Sequence, residues 1–212
     1  MEEFEVQVAT SHYDWSKYVN PYNWKSYYQQ IEEITKLDAE KILIIGKGDG
    51  IVPAILTNLG MDVTTFDFDA SIKPDIVGDV RYMDRYISKG QFDTVLCCQV
   101  LEHIPFENFE NVLKSLKELG IRNIILSLPN YSRDVKIDLK FELLRKTCKR
   151  LRLVNLKAVG DEPRCKGQHY WEINVKGTEL PVVREAISRQ YRIKREFYVF
   201  ENEYHMFFIL EA

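Results

Sequence analysis

The 212-residue sequence has no apolar run approaching the roughly 20 residues needed to span a bilayer. Its opening, MEEFEVQVATSHYDW, carries acids where a secretory signal carries bases and has no apolar h-region, so the expected location is the cytoplasm. Cysteine is scarce, at four residues, and forms no CxxC pair. Cys97 and Cys98 adjoin in an apolar stretch, while Cys148 and Cys165 stand alone, as reduced fillers of apolar space would. Histidine also numbers four, and His and Cys never recur at metal-ligand spacing, so no metal is expected. No internal repeat is present. With 45% apolar and 29% charged residues, the chain is neither disordered nor collagen-like, and its length suits one core. A single domain over 1–212 is therefore expected.

The formal net charge of -3 hides an asymmetry. Residues 1–132 hold 12 bases and 20 acids, a balance of -8, whereas residues 133–200 hold 17 bases and 9 acids, a balance of +8. Either the later segment meets an anionic partner, or its bases are solvated on exposed helix faces.

From residue 41 onward, short β-rich runs alternate with amphipathic stretches, the pattern of a parallel sheet covered by helices. Strands are expected at Lys41–Ile45, Asp62–Phe66, Ile76–Val77, Phe92–Cys98 and Ile121–Leu128, then at Ile193–Phe200 and His205–Leu210 around a turn at Glu201–Glu203. Helices are expected at Gly50–Leu59, 106–119 and Glu179–Arg189. Trp24, Tyr27, Tyr28, Ile31, Ile34 and Leu37 form one face of a further helix over 21–37. Residues 129–177 interrupt the alternation. In them Ile137, Phe141, Leu144, Cys148 and Leu151 read as the stripe of an amphipathic helix whose other faces carry Lys140, Arg145, Lys146, Lys149, Arg150 and Arg152. The expected organisation is an N-terminal helical extension (1–38), a core (39–128 and 178–212) and a cap insertion (129–177) that shapes a pocket.

The turn Gly46-Lys47-Gly48-Asp49-Gly50 lies between a buried strand and a helix, where glycine lets the chain bend tightly and helix N-H groups face an anionic ligand group. A dinucleotide fingerprint, GxGxxG, would need glycine at 51, which is Ile51. The observed GxGxG is met more often with S-adenosylmethionine. Asp67, flanked by Phe66 and Phe68 at the end of the second expected strand, is placed to accept both ribose hydroxyls of an adenosine, with Asp69 as a competitor. Asp79, in Gly78-Asp79-Val80, could accept an adenine amino group.

KILIIGKGDG, VTTFDFD, PDIVGDV, FDTVLCCQVLEHIPFENF and IILSLP together resemble a class I S-adenosylmethionine-dependent methyltransferase of the type 11 group over about residues 40–130. KYVNPYNWKSYYQQI (17–31) and GQHYWEIN (167–174) resemble a subset of small methyltransferases. The resemblance implies a Rossmann-like α/β fold: a mostly parallel sheet, helices on both faces and an antiparallel C-terminal strand. It implies S-adenosyl-L-methionine as cofactor, with Gly46, Lys47, Gly48 and Gly50 around the methionine portion and Asp67 on the ribose. Phe68 would lie against the adenine, Asp79 and Val80 would edge the base, and Gln99, Val100 and Leu101 would line the donor. The chain departs from the family in having Ile44 where an acid usually precedes the first glycine by two residues. The short link between the second and third strands also leaves room for little or no helix.

Methyl transfer from a sulfonium is an in-line displacement, so the protein chiefly aligns nucleophile and methyl group. A base is required only when the acceptor must lose a proton. His103, after the fourth expected strand, and His169, in the cap, are the candidates; His103 reads equally as a cap on the next helix. Were 167–174 a strand, His169 and Trp171 would share one face, with Tyr170 and Glu172 on the other. His12 and His205 read as surface or core residues. Three functions remain open: a methyltransferase for a small-molecule acceptor, anionic or not, a nucleic-acid methyltransferase using the basic 140–152 helix as a phosphate rail, and a non-catalytic donor-binding module. The fourth strand lacks the Asn/Asp-Pro-Pro-aromatic loop of enzymes that methylate exocyclic base amines.

Overall fold

A computed structural model describes residues 19–131, 135–139, 149–153 and 159–212. Its helices are α1 (Pro21–Thr35), α2 (Ile51–Asn58), α3 (Phe106–Glu118) and α4 (Leu180–Ser188). Strands β1 (Lys41–Ile45), β2 (Asp62–Asp67), β3 (Ile76–Val77), β4 (Thr94–Cys98) and β5 (Asn123–Pro129) are followed by β6 (Val135–Leu139), β7 (Lys149–Leu153), β8 (Arg192–Val199) and β9 (Asn202–Glu211). Among the described residues, one sheet runs in the order β3-β2-β1-β4-β5-β9-β8, and β6 pairs with β7 separately. The first five strands are parallel; β9 lies antiparallel to both β5 and β8. This is the expected mostly parallel sheet with an antiparallel C-terminal strand.

The period-two alternation of side chains divides the core between the two faces of the sheet. Leu43 and Ile45 of β1 join Val95, Cys97, Leu126 and Phe208 in a cluster with α3 and α4. Ile42 and Ile44 point the other way, joining Leu96, Ile125 and Phe207 against α1 and α2. Ile44, two residues before the first glycine of the turn, is thus a core side chain. On α3, Phe109, Val112, Leu113 and Leu116 form the buried stripe, each worth about 1.5–3 kcal/mol of apolar burial. No helix among the described residues is long and apolar enough to cross a membrane.

Three expectations are corrected. Ile137 and Leu151, assigned to one helical stripe, are cross-strand partners in the antiparallel β6–β7 pair. VKIDL and KRLRL each alternate apolar with polar residues, and this period of two prevails. Lys149, Arg150 and Arg152 are therefore strand residues, and the basic helix over 140–152 is not formed there; Lys140, Phe141, Leu144, Arg145, Lys146 and Cys148 lie outside the described residues, as does His12. The fourth strand begins at Thr94 and not at Phe92; Asp93 leads into it, its carboxylate accepting from the amides of Glu40 (3.0 Å) and Lys41 (2.7 Å). The last hairpin turns at Phe200–Glu201, since Asn202 already pairs with Val199 and its side chain donates to Ser26 Oγ at 3.1 Å. Between β2 and β3 there is only the 3-10 turn Ala70–Ile72.

Several bases of the later segment pair with acids of this same chain: Arg189 with Glu110 (2.8 Å), Arg184 with Glu196, Lys194 with Glu211 (3.0 Å), and Arg195 with Glu33. Glu33 is buried on α1. Burial works against its charge, yet hydrogen bonds from Lys36 (2.9 Å) and Arg195 outweigh that penalty and hold its carboxyl below the ordinary 4.5. A depressed folded-state value contributes stability that is complete above the unfolded value and disappears as pH falls through the folded one. Urea unfolding of wild type and Glu33→Gln should accordingly show a stability gap that is flat above about pH 4.5 and closes on further acidification.

Candidate functional site

Parallel pairing in register brings the expected ligand residues to one sheet edge. Ile45 faces both Phe66 and Cys97, and Asp67 faces Val77, so the chains leaving β1, β2, β3 and β4 emerge side by side. Ligands of open α/β sheets bind outside such carboxyl ends.

Gly46, Gly48 and Gly50 all have positive φ, at 85°, 56° and 79°. Gly46 is constrained twice, because a Cβ there would lie 2.3 Å from Val100 Cγ2. Asp67 ties this turn to β2: its Oδ2 accepts from Lys47 N-H at 2.8 Å and its Oδ1 from Asp69 N-H at 3.0 Å. Each carboxylate oxygen retains acceptor capacity for a hydroxyl. The Lys47 ammonium turns outward to the carbonyls of Ile72 (2.8 Å) and Lys73 (2.5 Å). Asp49 carries the turn onto α1, accepting from Tyr27 Oη at 2.5 Å and from Ile51 N-H at 3.0 Å. Trp24 and Tyr28, from the same expected face, are exposed.

Phe68 is 38% exposed beside this edge. Asp79 begins the 3-10 turn Val80–Arg85 and grips Arg81, accepting from its N-H at 2.9 Å and from Nη2 at 2.6 Å. Val80 and Leu101 belong to the core, so only their backbones can face a ligand. Gln99 has φ 57°, and its side chain donates to Ser127 Oγ at 3.0 Å.

The two histidines, distant in sequence, meet edge to face with ring centroids 4.8 Å apart. His103 Nδ1 lies 2.9 Å from the Gln168 carbonyl and His169 Nδ1 lies 3.0 Å from Glu172 Oε1. Residues 167–174 are irregular, not a strand, so His169 and Glu172 face each other while Trp171 enters the core and Tyr170 stays exposed. Trp171 anchors the segment, its Nε1-H donating to the carbonyls of Leu101 and Ile104, both at 3.1 Å.

Three residues of this cluster, Glu102, Glu172 and Tyr204, had no assigned role in the sequence, and Cys165, expected to fill apolar space, instead lies 3.5 Å from Tyr204 Oη. Burial works against the Glu172 charge, but hydrogen bonds from His169, Tyr204 (2.7 Å) and the amides of Cys165 and Arg164 hold its carboxyl below the usual range. Glu102 is fully buried, and neither of its oxygens has a hydrogen-bond partner among the described residues. Burial pushes its carboxyl up to about 8, and neighbouring Glu172 adds to the shift. An acid placed directly after Val100-Leu101 and before His103 was the one signal of it in the sequence.

No family model matches the chain, and no curated protein matches it. Solved structures do. A Burkholderia thailandensis 1,6-didemethyltoxoflavin N1-methyltransferase, with its substrate and S-adenosylhomocysteine bound, superposes with TM-score 0.60 at 12% identity over 96% of this chain and 84% of its own. The glycopeptide N-methyltransferase MtfA with S-adenosylhomocysteine gives 0.58 at 13% identity, covering 92% and 91%. A Pyrococcus horikoshii protein gives 0.59 at 14% identity over 97% of both chains. The fold is the Rossmann-like one of these methyltransferases.

Gly46→Ala should cost about 1–3 kcal/mol through backbone strain plus the clash with Val100. Adding Val100→Ala should recover the steric part only, as measured by urea unfolding of both variants.

Proposed function

We propose that the protein is an S-adenosylmethionine-dependent methyltransferase with a small-molecule acceptor. One observation carries the reading: the glycine turn and the Asp67 carboxylate sit at adjoining strand ends, joined through Lys47 N-H at 2.8 Å. The residues fit the donor, because the turn offers exposed backbone and Asp67 retains acceptor capacity for two ribose hydroxyls.

In this reading Gly46, Lys47, Gly48 and Gly50 follow the methionine portion, Phe68 covers the adenine, Asp79 and Val80 edge it, and Gln99 to Leu101 bound the donor's far side. The bound donor supplies an activated methyl group. The chain supplies alignment, which can lower the barrier by several kcal/mol. His103 and His169 are the candidate bases for an acceptor that must lose a proton, their rings held at Nδ1 by Gln168 and Glu172. The segment from 159 to 177, fastened by Trp171 beyond β4, serves as part of the cap. Acceptors of the similar folds, a toxoflavin precursor and a glycopeptide, support a non-polymeric substrate.

Calorimetry should detect S-adenosylhomocysteine binding, and saturation near 100 times Kd should add about 2.7 kcal/mol, a rise of roughly 5–10 °C in melting temperature for a chain of this size. Asp67→Asn keeps an acceptor oxygen for Lys47 N-H and should weaken binding tenfold or more with little change in the unliganded melting temperature. Stabilisation of wild type by NADH, with no response to S-adenosylhomocysteine, would refute the proposal.

A further inference from the structure

We infer that Glu102, His103 and His169 form a site for a divalent transition-metal cation, placed immediately beyond β4. One donor atom from each lies within 4.8 Å of the others. Three ligands each about 2.1 Å from a shared ion stand about 3.4–3.6 Å apart, so side-chain adjustments of up to about 1.4 Å close the set.

Three further features point to a cation. Glu102 is fully buried, with both oxygens unpartnered among the described residues, and Glu172 Oε2 is buried in the same condition. Buried carboxylates ordinarily pair with a base or bind a metal, and among the described residues no base hydrogen-bonds to Glu102. Each imidazole also has its Nδ1 against an oxygen, Gln168 O at 2.9 Å or Glu172 Oε1 at 3.0 Å. This is the outer-shell arrangement that orients a ring to present Nε2 to a metal.

A second grouping, Cys165, His169 and Glu172, satisfies the same distance limit. It is instead knit by hydrogen bonds, since Glu172 Oε1 receives His169 Nδ1, Tyr204 Oη (2.7 Å) and the amides of Arg164 (2.9 Å) and Cys165 (3.2 Å). Those contacts position His169. Two imidazoles and one carboxylate suit zinc, manganese or iron(II), and three protein ligands leave coordination positions open. Next to the proposed donor crevice, open positions would receive an oxygen-bearing acceptor; that extension rests on the methyltransferase reading, whereas cation binding does not.

The test is calorimetric titration of EDTA-dialysed protein with ZnCl2 and with MnCl2, without any methyl donor, near neutral pH. One equivalent of at least one ion should bind and raise the melting temperature. Glu102→Gln should weaken that binding tenfold or more while its metal-free melting temperature equals or exceeds that of wild type, because it removes a buried, unpartnered carboxyl. His103→Ala should weaken binding likewise, and Cys165→Ser should bind as wild type does. The assignment is overturned if neither ion binds wild type, if Glu102→Gln binds as tightly, or if Cys165→Ser abolishes binding.

Discussion

The in-register parallel pairing of β1 with its two neighbours is the constraint on which the site depends. Because Ile45 stands opposite both Phe66 and Cys97, three chains leave the sheet at one level. A one-residue slip would exchange the two faces of the sheet and turn the β1 side chains into the wrong cluster. The double-sided burial of KILII thus determines more than stability, because it sets the height at which the glycine turn meets Asp67. That turn is then held from both sides, by Asp67 through the Lys47 amide and by Tyr27 through Asp49.

A second seam joins the irregular segment after residue 159 to the end of β4. Trp171 packs edge to face against the stacked pair Phe106 and Phe109, with ring centroids at 4.8 Å and 5.1 Å, and bonds two carbonyls of the turn after β4. The Tyr170 amide donates to the Glu102 carbonyl at 2.9 Å. With that backbone committed, Glu102 is enclosed and the two imidazoles are brought together. The aromatic anchor provides apolar burial, and the polar cluster beneath it bears the desolvation penalty.

The charge asymmetry along the sequence has a largely internal resolution at the C-terminal end. Arg195 reaches back to Glu33 on α1, and Arg189 reaches Glu110 on α3. The exposed Arg189–Glu110 pair contributes only about 0–1 kcal/mol, so its effect lies more in orienting α4 than in overall stability, whereas Arg195 serves a buried Glu33 carboxylate. Basic composition alone therefore says little about an anionic partner when acids from the earlier half lie within reach.

Hydrophobic periodicity made most of the sheet legible, because a strand buried on both faces or an amphipathic helix leaves a pattern that local sequence carries. KILII, TVLCC and the stripe of α3 are such cases, and the glycine turn and Asp67 could be placed at the same edge because each directly ends a strand. Ile137 and Leu151 show where the pattern misled: in a short segment, periods of two and of 3.6 share positions, and only cross-strand pairing separates them. The pairing of His103 with His169, the enclosure of Glu102 and the convergence of Glu172 and Tyr204 on one imidazole were decided by tertiary structure alone. They join the end of β4, an irregular segment and β9, and no spacing along the chain encodes which side chains from such distant places will share a buried volume.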